Sequence, residues 1–265
     1  MIKKIITTFP DKKSALYKQD ASVKTYLKIV TAGLLLAPWT FANAIQVGED
    51  FTLSINAGIY SNYWSRGASQ TKGDPAVQGS ATLAHSSGAY LGIWTSNVDF
   101  GHESKTRQEI DYYAGYFWQA TDDISLDVAY YEYEYPRESS LNYSEYYTKL
   151  TAYGFNVGGY YSDDLYGNQS YLYSFVGYGT KLPYDVNLDL TYGNVDYKDD
   201  YFFSKNGGSR DNYDLWFTKL SKEMLGLNWS VAYGDSNLSK AECLSFNGWK
   251  DICSSTVIFG VDKTF

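Results

Sequence analysis

Apolar side chains recur at every second position through most of residues 51–261, in short runs divided by polar, Gly- and Asp-bearing segments. Phe51, Leu53, Ile55, Ala57 and Ile59 alternate with Thr52, Ser54, Asn56 and Gly58. Ile110, Tyr112, Ala114, Tyr116 and Trp118 alternate with Glu109, Asp111, Tyr113 and Gly115. The same period of two runs through Ala76–Ala84, Tyr90–Val98, Ile124–Tyr130, Ser144–Ala152, Phe155–Tyr161, Tyr171–Gly179, Val186–Tyr192, Tyr213–Leu220, Leu225–Tyr233 and Val257–Val261. A period of two marks strands with unlike faces, and no stretch sustains the 3.6-residue period of a helix. The pattern predicts twelve strands and little helix.

The connections sort by parity. Odd-numbered ones are long and polar, near 60–75, 99–108, 132–143, 162–170, 194–212 and 234–255. Even-numbered ones are short: His85–Ala89, Thr121–Asp123, Tyr153–Gly154, Thr180–Asp185 and Ser221–Met224. A sandwich has no reason to sort its loops this way, whereas outer-membrane barrels have short periplasmic turns and long extracellular loops. The expectation is therefore all-β: a transmembrane antiparallel up-and-down β-barrel of about 12 strands. The even count places both ends of the barrel domain on the periplasmic side.

Composition sharpens this reading. Of 265 residues 18% are aromatic, 28 of them Tyr, with 23 Gly, yet mean hydropathy is only -0.37. Strands with one face in lipid and one in water average to such a value, so no polytopic helical membrane protein is implied. The one long apolar run, Ile29–Phe41, follows Lys24 and Lys28 and precedes Ala42-Asn43-Ala44. Basic region, apolar core and A-x-A site read as a secretory signal over residues 1–44, leaving a single barrel domain over 45–265. Thirteen residues rise only about 20 Å as a helix, too little for a bilayer core of roughly 30 Å. The basic region is long, and a translation start near Val23 would give it ordinary length.

Removing 1–44 takes 7 of the 22 basic residues but only 2 of the 30 acidic ones, and the net charge moves from -8 to -13. That sign disfavours nucleic acid and anionic lipid as partners. Cys243 and Cys253 both lie in the exported part, where a disulfide closing one loop is favoured over a metal site. Phe265 ends an alternating series with Val257, Phe259 and Val261, and resembles the signal by which the barrel assembly machinery recognises its clients. Lys263 stands where that signal usually has an apolar residue.

Two stretches carry a family resemblance. Ser61-Asn62-Tyr63-Trp64-Ser65-Arg66-Gly67-Ala68-Ser69-Gln70 leads into Pro75-Ala76-Val77-Gln78-Gly79, and Trp94-Thr95-Ser96-Asn97-Val98-Asp99 follows. They resemble the TorF-type porins, outer-membrane proteins of proteobacteria, whose pattern is roughly S-D-Y-x-x-R-G-x-S-Q, P-A-V-Q-G and W-x-S-N-V-D. The resemblance extends more loosely over 45–265 and implies an outer-membrane barrel with a transport role. Asn62 departs from the usual Asp, and the N-terminal extension and Cys pair are not typical of that family.

Catalytic chemistry is not indicated. The only histidines are His85, expected in a short turn, and His102, in an outer loop near Asp99 and Glu103. Asp122-Asp123, Asp163-Asp164 and Asp199-Asp200 lack calcium-loop spacing and read as turn residues. No cofactor, metal site or catalytic residue is predicted. The informative face is the polar one. Taking each apolar set as lipid-facing puts Glu109, Asp111, Asp127, Glu145, Asp189, Asp214 and Asp262 in the lumen, against Lys149 and Arg66. Twelve strands leave room for a narrow pore. The sequence therefore predicts a porin of the cell outer membrane, passing ions and small polar solutes with a lean toward cations. The alternatives are a non-conducting structural or adhesive barrel acting through its extracellular loops, and an outer-membrane enzyme with a nucleophile and base in those loops.

Overall fold

A computed structural model describes residues 44–101, 104–165, 167 and 169–265. Residues 1–43 of the expected signal, with Ala42 and Asn43 of its cleavage site, lie outside the described residues, as do His102 and Glu103. Twelve long strands close on themselves: β1 Phe51–Tyr60, β2 Ala76–His85, β3 Ala89–Asn97, β4 Gln108–Gln119, β5 Ile124–Glu134, β6 Tyr143–Ala152, β7 Phe155–Leu165, β8 Gln169–Leu182, β9 Val186–Tyr197, β10 Asn212–Met224, β11 Leu227–Ser236 and β12 Thr256–Thr264. Each pairs antiparallel with its neighbours in sequence order, and β1 pairs with both β2 and β12. The result is a closed up-and-down barrel, about 24 Å between opposing backbones for ordinary strand spacing and tilt.

The seam is completed by two chain segments. Phe265 exchanges backbone hydrogen bonds with Ile55, at 2.8 and 3.2 Å. Just beyond it, Ile45 and Gln46 continue the same row opposite Leu53 and Thr52. The lower edge of β1 is thus paired where β12 stops, which leaves little open strand edge.

The outer surface is a membrane surface. Ile59, Val77, Leu91, Val157, Val176 and Val257 are largely exposed, Val77 to 65%. Such an apolar band is too large for a water-facing wall. Toward the loop end it is rimmed by Tyr112, Tyr130, Tyr146, Tyr192, Trp216 and Tyr233, and toward the turn end by Phe51, Trp118, Phe155 and Trp229. Two aromatic girdles about an apolar band are the signature of strands crossing a bilayer. A second set of aromatic residues faces inward. Tyr90, Phe117, Tyr131, Tyr133, Tyr147, Phe175 and Phe217 are all buried within the barrel. Inward glycines make room for these rings. A β-carbon at Gly115 would sit 2.5 Å from the Tyr90 ring and 2.6 Å from the Val128 carbonyl oxygen.

The loop end is roofed. In the last long loop, α1 (Lys240–Asn247) starts at a capping box in which Ser239 and Glu242 satisfy each other's backbone N–H groups. The Cys243–Cys253 disulfide closes this loop, with Cα atoms 5.9 Å apart. Arg210, from the small hairpin Phe202–Phe203/Ser209–Arg210, reaches Glu242 at 2.7 Å. Phe202, fully buried, packs against Tyr213 and Phe246 and ties this hairpin to the helix. The eight-residue helix is the main departure from the all-strand expectation.

Candidate functional site

The site begins with the first long loop, which does not stand up from the rim but folds into the barrel. Trp64–Ser65 and Ala68–Ser69 pair as a miniature hairpin, Trp64 opposite Ser69 and Ser65 opposite Ala68. Its two turn residues, Arg66 and Gly67, have φ of 46° and 89°. Two positive φ values in a two-residue turn are what a tight hairpin with right-handed twist requires. Gly67 is needed twice over, since a β-carbon there would lie 2.9 Å from the Tyr213 ring. Trp64 stacks on Phe217 with centroids 5.6 Å apart, and Tyr213 donates its hydroxyl to the Arg66 carbonyl at 2.5 Å. These contacts press the hairpin against β10. At its base Ser69 Oγ donates to Asn62 Oδ1 at 2.6 Å. The amide oxygen at Asn62 thus supplies an acceptor of the kind the more usual Asp would offer.

The hairpin carries Arg66 across to the opposite wall. Its guanidinium meets Glu145 of β6 side-on, Nη1 to Oε1 at 2.6 Å and Nη2 to Oε2 at 2.7 Å. It also bonds the Tyr171 hydroxyl and lies against the rings of Tyr160, Tyr173 and Tyr171, at 4.9, 5.5 and 5.5 Å from their centroids. Glu145 has no exposed surface and takes a further hydrogen bond from Tyr133. A planar cation held by a two-point carboxylate contact and aromatic faces is the favourable arrangement for guanidinium.

Two more carboxylates stand beside this pair. Glu109 accepts from Tyr63 at 2.9 Å and from Tyr135 at 3.1 Å. Asp111 lies opposite Tyr133 in the β4–β5 register, and the same Tyr133 bonds Glu145. Asp111 is 3% exposed, and its Oδ1 has no hydrogen-bond partner among the described residues.

Nearer the turns the wall carries alternating charge. Asp127 takes a bond from Tyr90 at 2.7 Å and faces Lys149 directly across the β5–β6 pair. Asp189 faces Lys219 across β9–β10 in the same way. Asp262 is held by Asn56 at 3.0 Å and Asn228 at 2.9 Å.

The residues singled out in the sequence therefore fall into three groups. Arg66, Glu109, Asp111 and Glu145 come together toward the loop end. Asp127, Lys149 and Asp189 lie on the inward faces nearer the turns. Asp214 stands apart: it alternates with the buried Tyr213 and Leu215, shares the outward side of β10 with Trp216 and Leu220, and accepts from Asn194 and Asn237, each at 2.9 Å. Reading Tyr213, Leu215 and Phe217 as the lipid side inverted this strand, because the interior is as aromatic as the exterior. The same inversion hid Lys219, which is buried and faces Asp189. The available signal was Lys219 itself. A lysine in mid-strand toward lipid costs about 2–4 kcal/mol, whereas a carboxylate at the strand's outer end costs little. With these two changes the inward set is six carboxylates against Arg66, Lys149 and Lys219. Of the other candidates, His85 contacts Ser87 within an exposed turn at 2.8 Å.

Several solved structures resemble the fold at low identity. A KdgM porin is 14% identical over 80% of this chain and 99% of that chain, with a TM-score of 0.48. A NanC porin is 12% identical over 80% of this chain and 98% of that chain, at 0.47. OccAB3 of Acinetobacter baumannii is 9% identical over 82% of this chain and 65% of that chain, at 0.38. No curated protein matches the chain. The model of a family of bacterial proteins of unknown function, Gcw_chp, matches residues 45–265, and the chain belongs to that family.

Proposed function

We propose that the protein is an outer-membrane channel for passive diffusion of ions and small polar solutes, narrow and leaning toward cations, with the first-loop hairpin as its constriction. The observation that carries this reading is Arg66 on its hairpin tip, spanning the lumen to Glu145 beside the further carboxylates Glu109 and Asp111. A purely structural wall has no need of ionised groups. Burying them costs several kcal/mol per ion unless each is paired, and unpaired Asp111 is the costliest of the set. Beside a polar passage the same groups attract cations by focusing negative potential between low-dielectric walls. The apolar band and aromatic girdles support lipid as the surrounding phase. Export through a signal over residues 1–44 belongs to this same proposal, as does assembly through Phe265. Among the described residues no group of three or more His, Cys, Asp and Glu could hold a metal ion.

The competing reading is a closed barrel that acts through its outer loops. The buried rings of Tyr131, Tyr133 and Phe217 favour it. Unit conductance in planar bilayers separates the two, comparing the wild type with a variant whose residues 64–69 are replaced by two glycines. The channel reading expects small conductance steps from the wild type and larger ones from the variant. Silence from the wild type, with folded barrels verified by heat-dependent gel mobility, would overturn it in favour of the closed barrel.

A further inference from the structure

Arg66 does not occupy its place as a wall residue does. It reaches the Glu145 cage from a separate hairpin in the first long loop, across the lumen. The cage itself belongs to the wall: Glu145 and Tyr160 stand on neighbouring β6 and β7, Tyr171 and Tyr173 on β8, and Tyr133 on β5. Every contact that the cage makes with the Arg66 side chain is one that any guanidinium could receive. The carboxylate offers two parallel acceptors, the Tyr171 hydroxyl a third contact, and the rings of Tyr160 and Tyr173 the flat faces on which the cation lies. Beside it is a second carboxylate already desolvated and not fully engaged, Asp111, whose free oxygen gives an incoming cation somewhere to go before Arg66 leaves.

We propose that this cage is a binding site for solutes bearing a guanidinium group, and that Arg66 is its tethered resident, displaced when such a solute passes. The proposal rests on the channel reading for its passage step, but the site itself can be tested without conduction. A guanidinium is favoured over a simple ammonium because the Glu145 contact is two-pronged and planar, which a point charge with tetrahedral donors cannot match. Tethering also sets the concentration scale. A group held on a short segment competes at an effective concentration on the order of millimolar or above. Removing it should therefore lower the concentration of free guanidinium needed to fill the site by at least about tenfold.

The test is rescue by methylguanidinium of the refolded Arg66→Ala barrel in detergent micelles. Thermal unfolding is followed at constant ionic strength from zero to about 20 mM ligand, and methylammonium serves as the comparison cation. The expected result is a saturable rise in midpoint for Arg66→Ala, none for the wild type over the same range, and loss of the rise in Arg66→Ala/Glu145→Gln. Methylammonium should produce a much smaller rise. If Arg66→Ala does not refold, Arg66→Gln, a polar side chain too short to span to Glu145, takes its place. Absence of rescue, or equal rescue by methylammonium, overturns the proposed site. The potassium current of the wild type is recorded in parallel. Rescue without current supports the site and overturns the channel, and current without rescue does the reverse. With both present, argininamide should block the potassium current of Arg66→Ala at concentrations at least about tenfold lower than those that block the wild type, and equal sensitivity overturns the tethered-resident assignment.

Discussion

Substituting Arg66 by Ala removes one partner from a pair whose other member, Glu145, has no exposed surface. Two charge-assisted hydrogen bonds of 2.6 and 2.7 Å disappear, and Glu145 keeps only the Tyr133 hydroxyl. Bonds to charged partners are worth about 1.5–3 kcal/mol each, and stranding one member of a buried pair costs about 3–5 kcal/mol. Loss of the aromatic contacts adds about 0.5–2 kcal/mol, offset in part by water entering the vacated space. The expected destabilisation is thus about 3–5 kcal/mol. Arg66→Lys keeps the charge but not the two-point geometry and should lose about half as much. In Arg66→Ala/Glu145→Gln the stranded charge is gone, so the double variant should be less destabilised than the sum of its singles by at least about 2 kcal/mol. Equilibrium urea unfolding of refolded barrels, followed by tryptophan fluorescence, measures all four. If Arg66→Ala lies within about 1 kcal/mol of the wild type, the ion pair is not buried across the lumen and the constriction argument fails.

Three further outcomes are expected. Asp111→Asn should reduce cation preference more than Asp127→Asn, because Asp127 already faces Lys149 while Asp111 has no basic neighbour in register; equal effects in reversal-potential measurements would contradict this. Gly115→Ala drives a methyl group into Tyr90 and the Val128 carbonyl and should cost about 1–3 kcal/mol by urea unfolding, whereas a neutral result would mean that Tyr90 is free to move. At the loop end, burial raises the Glu242 carboxyl, but hydrogen bonds from Arg210 and from Ser239 outweigh it and hold it below the usual range. A depressed value makes the contact stabilising above about pH 4.3 and loses it as pH falls through the lowered value. Pepsin cleavage within residues 240–250 should therefore begin only in strong acid, and Arg210→Gln should move that onset upward; an unmoved onset would deny the contact its role.

Much of the architecture was legible in the chain because it rests on a period of two and on loop parity, both of which survive errors in any single strand. The twelve strands and the short and long connections follow from that reading, and the Cys243–Cys253 bridge from the placing of both cysteines after the expected signal. The helix was missed for a reason of length, since eight residues show no periodicity. The local signature was nonetheless present, with Ser239 followed three residues later by Glu242. Strand β10 was inverted because apolarity separates inside from outside only when the inside is polar. Here Tyr213, Leu215 and Phe217 fill the interior while Trp216 and Leu220 face outward. The conformation of the first loop was legible only in the lumen placement of Arg66. The Arg66-Gly67 pair predicts a tight turn at the rim, but whether the hairpin rises or dips is decided by Trp64 on Phe217 and Glu145 on the far wall, contacts between residues distant in sequence.

The central claim is that inward carboxylates outweigh inward bases along an open path. Reversal potential across a potassium chloride gradient, with the refolded wild type in a planar bilayer of neutral lipid, tests it most directly. The account predicts a potential of the sign set by potassium permeation. It should shrink as salt is raised from 0.1 M to 1 M, where the screening length falls from about 10 Å to about 3 Å. A potential of the opposite sign, or no current from a barrel shown to be folded, would contradict it.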